Sequence, residues 1–161
     1  MSPLSGRCSC GGVRYELTSE PMFVHCCHCL DCQRKTGSAF AINALIETGR
    51  IRIVAGAVAE TEFPTESGRP HLVYRCPDCL TALWSDYGAR GYLGFLRAGT
   101  LDDPSRIKPD VHIFTRSKLP WVRLPEGVPA FEVFYDMKTL WPQEALDRRQ
   151  AASAAARQTK S

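Results

Sequence analysis

Four of the eight cysteines of this chain lie within seven residues, in the stretch HCCHCLDCQRKT at positions 25–36. Three of them, Cys27, Cys29 and Cys32, form a C-x-C-x-x-C pattern. Thiolates this close repel one another unless a cation lies between them. The spacing therefore predicts a metal site, with zinc as the expected ion.

The remaining four cysteines form two pairs that are far apart in the sequence. Cys8 and Cys10 lie in a C-x-C pattern flanked by glycines, and Cys76 and Cys79 lie in a C-x-x-C pattern. Each pair supplies half of a tetrahedral site, and together they have the composition of a closed structural zinc site. A redox role for the C-x-x-C pair is the alternative, but a thioredoxin-like motif needs a βαβ context that this sequence lacks.

The cysteine-rich stretch leaves the fourth ligand of its metal open to several interpretations. His25 lies two residues before Cys27 and could reach the metal, whereas His28 lies between two ligands and should point away. Cys26 is either a fourth ligand or a small buried residue. Spacing alone therefore allows both a closed site and an open site with one exchangeable position.

An open site with three thiolates would favour one kind of ligand. Three thiolates cancel the charge of Zn²⁺, so such a zinc acidifies water poorly and binds one more soft ligand well. A coordinating thiol is deprotonated outright, so we expect a small thiol to bind as its thiolate. Arg34 and Lys35 lie just past Cys32 and could meet the carboxylates of that thiol, although they could equally be solvated surface charges.

Composition and charge limit the classes of protein to which the chain can belong. Its 161 residues are enough for one domain with an ordinary core, and its net charge of +3 with interleaved signs predicts no nucleic-acid partner. No run of about 18 apolar residues and no signal-peptide pattern is present, so no membrane partner is expected and the expected location is cytoplasmic. A reducing compartment favours metal ligands over disulfides. Nothing in the sequence predicts an oligomeric state.

Short runs of alternating apolar and polar residues position these cysteines. About ten short strands with few helices predict a mainly β fold of sandwich or barrel type. A helix of one or two turns is expected at 30–35, directly after the cysteine-rich stretch. The expected strands cover 13–17, 22–24, 39–46, 51–53, 57–63, 71–75, 80–87, 91–96, 111–114, 119–122 and 131–135.

The chain divides into a zinc-binding domain at 1–140 and a C-terminal segment at 141–161. Pro142 suits a first helical position, and 143–157 has a helix-forming composition. The apolar residues beyond Leu146 are only alanines, so this short helix has little with which to dock. We expect 151–161 to be a mobile tail.

Several motifs in order resemble one known family. They are G-x-C-x-C-G-x-V-R-Y-E at 6–16, CHCLDCQRKTGSAF at 27–40 and CPDC at 76–79. AGTLDDP at 98–104 and PDVHIF at 109–114, with Lys118 and Trp121, complete the pattern. Together they resemble the glutathione-dependent formaldehyde-activating enzymes, a family that also includes centromere protein V.

The resemblance implies a β-tent fold of short antiparallel strands with two zinc ions per chain. It implies that Cys8, Cys10, Cys76 and Cys79 hold a structural zinc, and that Cys27, Cys29 and Cys32 hold a catalytic zinc with an exchangeable position. The implied activity is that of a carbon–sulfur lyase that combines glutathione with formaldehyde to give S-hydroxymethylglutathione. The implied partners are therefore glutathione, or another small thiol, and a small aldehyde.

The chain departs from the family pattern at a few positions. Leu80 follows Cys79 where the family often has glycine, and Cys26 beside Cys27 is unusual. His112 and Trp121 could line a pocket, but we expect both to be packed core residues.

Two other functions fit the same cysteines. One is a carrier that binds a thiol without catalysis, and the other is a zinc-stabilised interaction module that contacts nucleic acid. The even distribution of charge argues against the second, because a nucleic-acid surface normally clusters Lys and Arg.

Overall fold

A computed structural model describes residues 2–160 of the chain. Within them the strands form a three-stranded sheet in the order β1-β2-β5 and a seven-stranded sheet in the order β10-β3-β4-β9-β8-β7-β6. The strands are β1 (Ser5–Arg7), β2 (Arg14–Leu17), β3 (Phe23–Cys27), β4 (Ala41–Glu47), β5 (Ile51–Ala55), β6 (Ala59–Phe63), β7 (His71–Arg75), β8 (Ala82–Tyr87), β9 (Leu93–Arg97) and β10 (Val111–Ile113). The α-helices are α1 (Leu30–Thr36), α2 (Met137–Leu140) and α3 (Gln143–Gln158).

The predicted mainly β fold, with about ten short strands, is confirmed. Neighbouring strands are antiparallel, except that β10 runs parallel to β3. No helix among residues 2–160 is both long and apolar enough to cross a membrane. The predicted division of the chain at residue 140 stays a prediction.

The core consists of two apolar clusters, one beside each group of cysteines. The first contains Tyr15, Leu83 and Leu96 together with Cys8 and Cys76. The second packs Cys27 and Cys32 among other buried side chains, which include Phe23, Leu45, Leu93, Val111 and Trp141. Because burial of apolar surface stabilises both clusters, it also sets the positions of the cysteines within them.

Two predicted strands are wrong. Residues 119–122 form a turn, and the Lys118 ammonium donates to the carbonyl oxygens of Leu119 and Val122 at 3.2 and 2.8 Å. Residues 131–135 run beside β10 without forming a strand. Phe114 has a left-handed backbone with φ of 55°, which ends the regular strand geometry at that point.

Trp121 is also not where the sequence suggested. Its side chain is 70% exposed, so the expectation of a core indole is wrong. Trp84 and Trp141 are the buried indoles instead, and Trp141 stacks on Phe23 with ring centroids 5.2 Å apart. Composition cannot distinguish these tryptophans, because burial depends on which segment crosses the sheet.

The C-terminal helix α3 forms close to the predicted residues, and it docks through Ala145 and Leu146, which pack in the second cluster, and through an ion pair. The Arg148 guanidinium donates to both carboxylate oxygens of Glu47 at 2.9 and 2.6 Å. It also donates to the Ser19 hydroxyl and the Glu20 carbonyl at 3.0 and 3.1 Å. The helix continues through 151–158 of the predicted tail, whose last residue, Ser161, lies outside the described residues.

Candidate metal centre

The first cysteine group joins the start of the chain to the connection between β7 and β8. The four Sγ atoms of Cys8, Cys10, Cys76 and Cys79 all lie within 4.8 Å of one another. The Sγ atoms of Cys8 and Cys10 are 3.5 Å apart, and those of Cys10 and Cys76 are 3.7 Å apart. Four sulfurs around one zinc at about 2.3 Å would be about 3.8 Å apart, so this arrangement fits the ion.

Two short loops with similar backbone bonds present these four thiols. In each loop the amide of the first cysteine donates at 3.0 Å to a carbonyl five residues later, from Cys8 to Val13 and from Cys76 to Thr81. The second loop turns at Leu80, whose φ of 62° is in the left-handed region that favours glycine. Its side chain is exposed, so the substitution for glycine strains the backbone without disturbing the core.

The second cysteine group lies at the junction of β3 and α1. Cys27 ends β3, Cys29 caps the N-terminus of α1, and Cys32 lies in the first turn of that helix. The Cys32 amide donates to the Cys29 sulfur at 3.3 Å, so the C-x-x-C spacing itself forms the helix cap. The three Sγ atoms lie within 4.8 Å of one another, so the three predicted ligands are brought together.

Neither His25 nor Cys26, the two candidates for a fourth ligand, joins this second group. The His25 ring instead makes a 2.6 Å hydrogen bond through Nε2 with the Tyr135 hydroxyl. Cys26 lies on the opposite face of β3, where its sulfur is 3.6 Å from Nε2 of His28. As expected, His28 points away from the group, and its Nε2 is 2.9 Å from Nδ1 of His112. Among residues 2–160 the group therefore has three ligand atoms.

The fourth side of the second group faces a cavity of about 340 Å³, which all three cysteines line. This volume is at the small end of the range for small-molecule sites. Apolar side chains form most of its wall, namely Leu45, Leu93, Phe95, Ile113, Phe114, Phe134 and Met137. The polar residues on the wall are His25, Asp31, Asn43, Tyr87, Arg90 and Arg149.

The thiols differ in how easily they ionise. Hydrogen bonds from the Cys27 and Cys32 thiols lower the pKa of Cys29 to about 2, so this sulfur is a thiolate at neutral pH. Thr81 faces the sulfur of Cys79 with its hydroxyl and amide and lowers that pKa to about 5. Burial raises the pKa of Cys26 to about 12, so this thiol stays neutral. Each group therefore contains one cysteine, Cys79 or Cys29, that is ionised at neutral pH, whereas Cys26 is not.

The predicted substrate-binding residues lie outside this cavity. Arg34 and Lys35 line a neighbouring groove, which shares Asp31 with the cavity. The Lys35 ammonium forms an ion pair with the Asp31 carboxylate, and it also lies 5.3 Å from the centre of the Phe63 ring. A role for Arg34 and Lys35 in binding a substrate stays a prediction.

The sequence analysis missed Tyr87, Arg90 and Arg149, all of which line the cavity. The Tyr87 hydroxyl is 3.7 Å from the Cys32 sulfur, and its ring stacks on His71 with centroids 3.7 Å apart. No spacing rule connects these residues to the cysteines, because they come from β8, from the following loop and from α3. Only the fold brings them to one wall.

Thiolates in groups of four and three are ligand sets that suit zinc among the common metals. The first set is complete as a tetrahedral site, and the second set has three protein ligands, as catalytic zinc sites do. The described cysteines therefore fit the two ions that the sequence predicts, and the histidines at 25 and 28 are not needed for either.

Comparisons with known proteins agree with the motifs. The family model of the glutathione-dependent formaldehyde-activating enzyme matches residues 3–117. A protein of Halomonas elongata, named "Putative glutathione-dependent formaldehyde-activating enzyme", is 29% identical over 130 residues, which cover 75% of this chain and 80% of that protein. A crystal structure of a Rhodobacter sphaeroides protein aligns with a TM-score of 0.47 and 21% identity over 65% of this chain and 91% of that chain.

Proposed function

The chain belongs to the glutathione-dependent formaldehyde-activating enzyme family, and from this premise we propose that it joins a small thiol, glutathione in the first place, to a small aldehyde such as formaldehyde. The carrying observation is that Cys27, Cys29 and Cys32 converge on one side of a cavity while neither His25 nor Cys26 completes their group. A closed structural site would have a fourth protein ligand there.

We assign one zinc to each cysteine group. Cys8, Cys10, Cys76 and Cys79 would hold a structural ion, and Cys27, Cys29 and Cys32 would hold the ion used in the reaction. The zinc in the second group, when bound, would keep a coordinated thiol ionised at neutral pH. We also propose a cytoplasmic location, where reducing conditions would keep these thiols available as metal ligands, and a β-tent arrangement of the strands.

The reaction that follows from this site is addition of sulfur to a carbonyl carbon. A carbon–sulfur bond forms, the π bond of the carbonyl breaks, and the carbonyl oxygen takes the proton that the thiol gave up. The reverse direction is the carbon–sulfur lyase reaction. The cavity would accelerate it chiefly by holding thiol and aldehyde together, since proximity alone is worth several kcal/mol.

Residues of the cavity wall would orient the aldehyde. Burial raises the pKa of Tyr87 well above its ordinary value, so its hydroxyl stays protonated and can donate to a carbonyl oxygen. This hydroxyl already lies beside the Cys32 sulfur. The apolar side chains of Leu45, Phe95 and Ile113 would exclude bulk water from the reacting atoms.

Arg34 and Lys35 complete the proposal. Their groove adjoins the cavity across Asp31, so they would contact the part of a longer thiol, such as a tripeptide, that extends beyond the cavity.

Exchange NMR spectroscopy of glutathione and formaldehyde tests this proposal. We expect the zinc-loaded protein to raise the rate of S-hydroxymethylglutathione formation and cleavage above the uncatalysed rate, and Cys29→Ser to abolish the increase. Cys26→Ala is the matched control, because Cys26 is a cysteine of the same stretch that lies outside the group.

Binding of glutathione without any rate increase would instead make the protein a thiol carrier. Two saturated zinc sites with no affinity for thiols, together with salt-sensitive binding to DNA, would identify an interaction module.

A further inference from the structure

The cavity beside the second cysteine group contains two arginines that have no partner. Arg90 and Arg149 both line it, and among residues 2–160 neither guanidinium makes a hydrogen bond or an ion pair. The Nε atom of Arg149 is buried as well. A buried guanidinium N–H without an acceptor is costly, and this applies to Nε of Arg149. Arg90 is half-buried on the same cavity wall, so both side chains are available to an anion that residues 2–160 do not supply.

Arg148, the residue before Arg149 on α3, differs from it because its guanidinium is engaged in hydrogen bonds. Arg148 makes four hydrogen bonds, to Glu47, Ser19 and Glu20, and so fixes α3 against the sheet. Successive residues of a helix point about 100° apart. With Arg148 held on the sheet, Arg149 is turned to the cavity.

Arg90 is held at the cavity by its backbone. The buried carboxylate of Asp86 accepts hydrogen bonds from the amides of Arg90 and Gly91 at 2.9 and 2.6 Å. This turn between β8 and β9 therefore has a defined shape, while the guanidinium of Arg90 stays unpaired. Among the described residues, Asp31 is the one carboxylate that lines the cavity, and it is already paired with Lys35.

We propose that Arg90 and Arg149 bind a carboxylate of the thiol substrate, so that the cavity selects acidic thiols over neutral thiols. Guanidinium groups recognise carboxylates through paired, charge-assisted hydrogen bonds. This inference rests on the proposed function and adds to it the chemical class of the thiol and the residues that select it.

The selectivity would be set in part by residues that lie beyond the part of the chain matched by the family model. Phe134, Met137 and Arg149 all line the cavity, and all lie beyond residues 3–117, the part matched by the family model. Residues 134–149 thus supply part of the cavity wall and one of its two arginines.

Isothermal titration calorimetry of the zinc-loaded full chain tests the inference with two probes, glutathione and its diamide, in which both carboxylates are amides. We expect the unaltered protein to bind glutathione at least tenfold more tightly than the diamide. Arg149→Ala should weaken glutathione binding about tenfold or more and leave diamide binding unchanged, since a hydrogen bond to a charged group is worth about that factor. Arg90→Ala should do the same, and Arg149→Lys should restore part of the preference.

Arg123→Ala is the matched control, because it removes the same charge from an exposed side chain outside the cavity. It should leave both affinities unchanged.

Two results would overturn the inference and leave the proposed function intact. One is tight glutathione binding with the same preference in Arg90→Ala and Arg149→Ala. The other is loss of the preference only in a variant that carries both Arg34→Ala and Lys35→Ala, which would assign the carboxylate to the neighbouring groove. No binding of either probe to the zinc-loaded protein would overturn the proposed function as well.

Discussion

The two cysteine groups of this protein use the same chemical ligand in different surroundings. The first draws two thiols from each of two loops, with Cys10 and Cys76 separated by 66 positions in the sequence. The second draws three thiols from one short stretch at the end of β3 and the start of α1. A metal in the first group would tie distant segments together, whereas a metal in the second would constrain little beyond one strand–helix junction.

The surroundings of the two cysteine groups also differ. The loops of the first group are pinned by backbone hydrogen bonds, and four sulfurs enclose its centre. Three sulfurs of the second group border a cavity with two arginines on its wall, whose guanidinium groups have no partner within residues 2–160. The two groups therefore differ chiefly in whether a cavity lies beside the thiols, since only the second group borders the cavity described above.

The largest effect should come from breaking the first group. We expect Cys76→Ser to leave the chain largely unfolded or insoluble, because structural zinc supplies on the order of 10 kcal/mol and total stabilities are only about 5–15 kcal/mol. Circular dichroism and the soluble yield measure this. Cys26→Ala is the control and should remain folded. A folded Cys76→Ser protein with both metal equivalents would contradict the structural role.

Breaking the second group should cost function and little stability. We expect Cys29→Ser to fold, to retain about one zinc per chain instead of two, and to lose thiol binding. Serine can still cap α1, whereas Cys29→Ala removes the cap and should lower the free energy of unfolding by about 0.5–2 kcal/mol more. Metal analysis by mass spectrometry with thermal unfolding checks both variants. If Cys29→Ser were as insoluble as Cys76→Ser, the two groups would not differ in role.

A pH experiment sharpens the comparison, because the buried His71 stacks on Tyr87, whose hydroxyl lies beside the second group. Burial lowers the pKa of His71 from 6.5 to about 4, and neither ring nitrogen has a partner. Between these values the unfolded chain binds the proton and the folded chain does not, so stability falls as the pH falls from 6.5 to about 4.

We expect His71→Phe to reduce the loss of stability between pH 7.5 and pH 5.0 by about 2 kcal/mol. Urea unfolding of both proteins at the two pH values measures this difference. Equal losses in the two proteins would mean that His71 is not kept neutral by burial.

The smallest effect should come from relieving strain in the first group. Leu80 adopts a left-handed backbone that costs about 1–2 kcal/mol for an ordinary residue. We expect Leu80→Gly to stabilise the protein by about 0.5–1 kcal/mol, because the greater freedom of glycine in the unfolded chain offsets part of the gain. Leu80→Ala keeps the strain and should change the free energy of unfolding by much less. Chemical denaturation checks the pair.

Local patterns in the sequence predicted most of the elements that carry the cysteines. The alternation at 13–17 and 71–75 predicted β2 and β7, and the helix expected at 30–35 is α1. The strands expected at 119–122 and 131–135 do not form, because apolar residues there serve a turn and an irregular segment beside β10. Apolar content is read from the sequence, but regular strand pairing requires a partner strand in register.

The sequence by itself determined which thiols could act as metal ligands and their division into a group of four and a group of three. Thiol number and spacing are local properties, and a zinc site requires little more. Only the tertiary structure decided that Cys26 turns away from Cys27, that His25 binds Tyr135, and that the second group borders a cavity.

The tertiary structure also decided which cations reach that cavity. Arg34 and Lys35 are close to Cys32 in the sequence but line another groove, whereas Arg90 and Arg149 are distant in the sequence and line the cavity itself. The physical reason is that a cavity wall is made of contacts between segments far apart in the chain. Such contacts depend on sheet order and helix docking, and neither leaves a local pattern in the sequence.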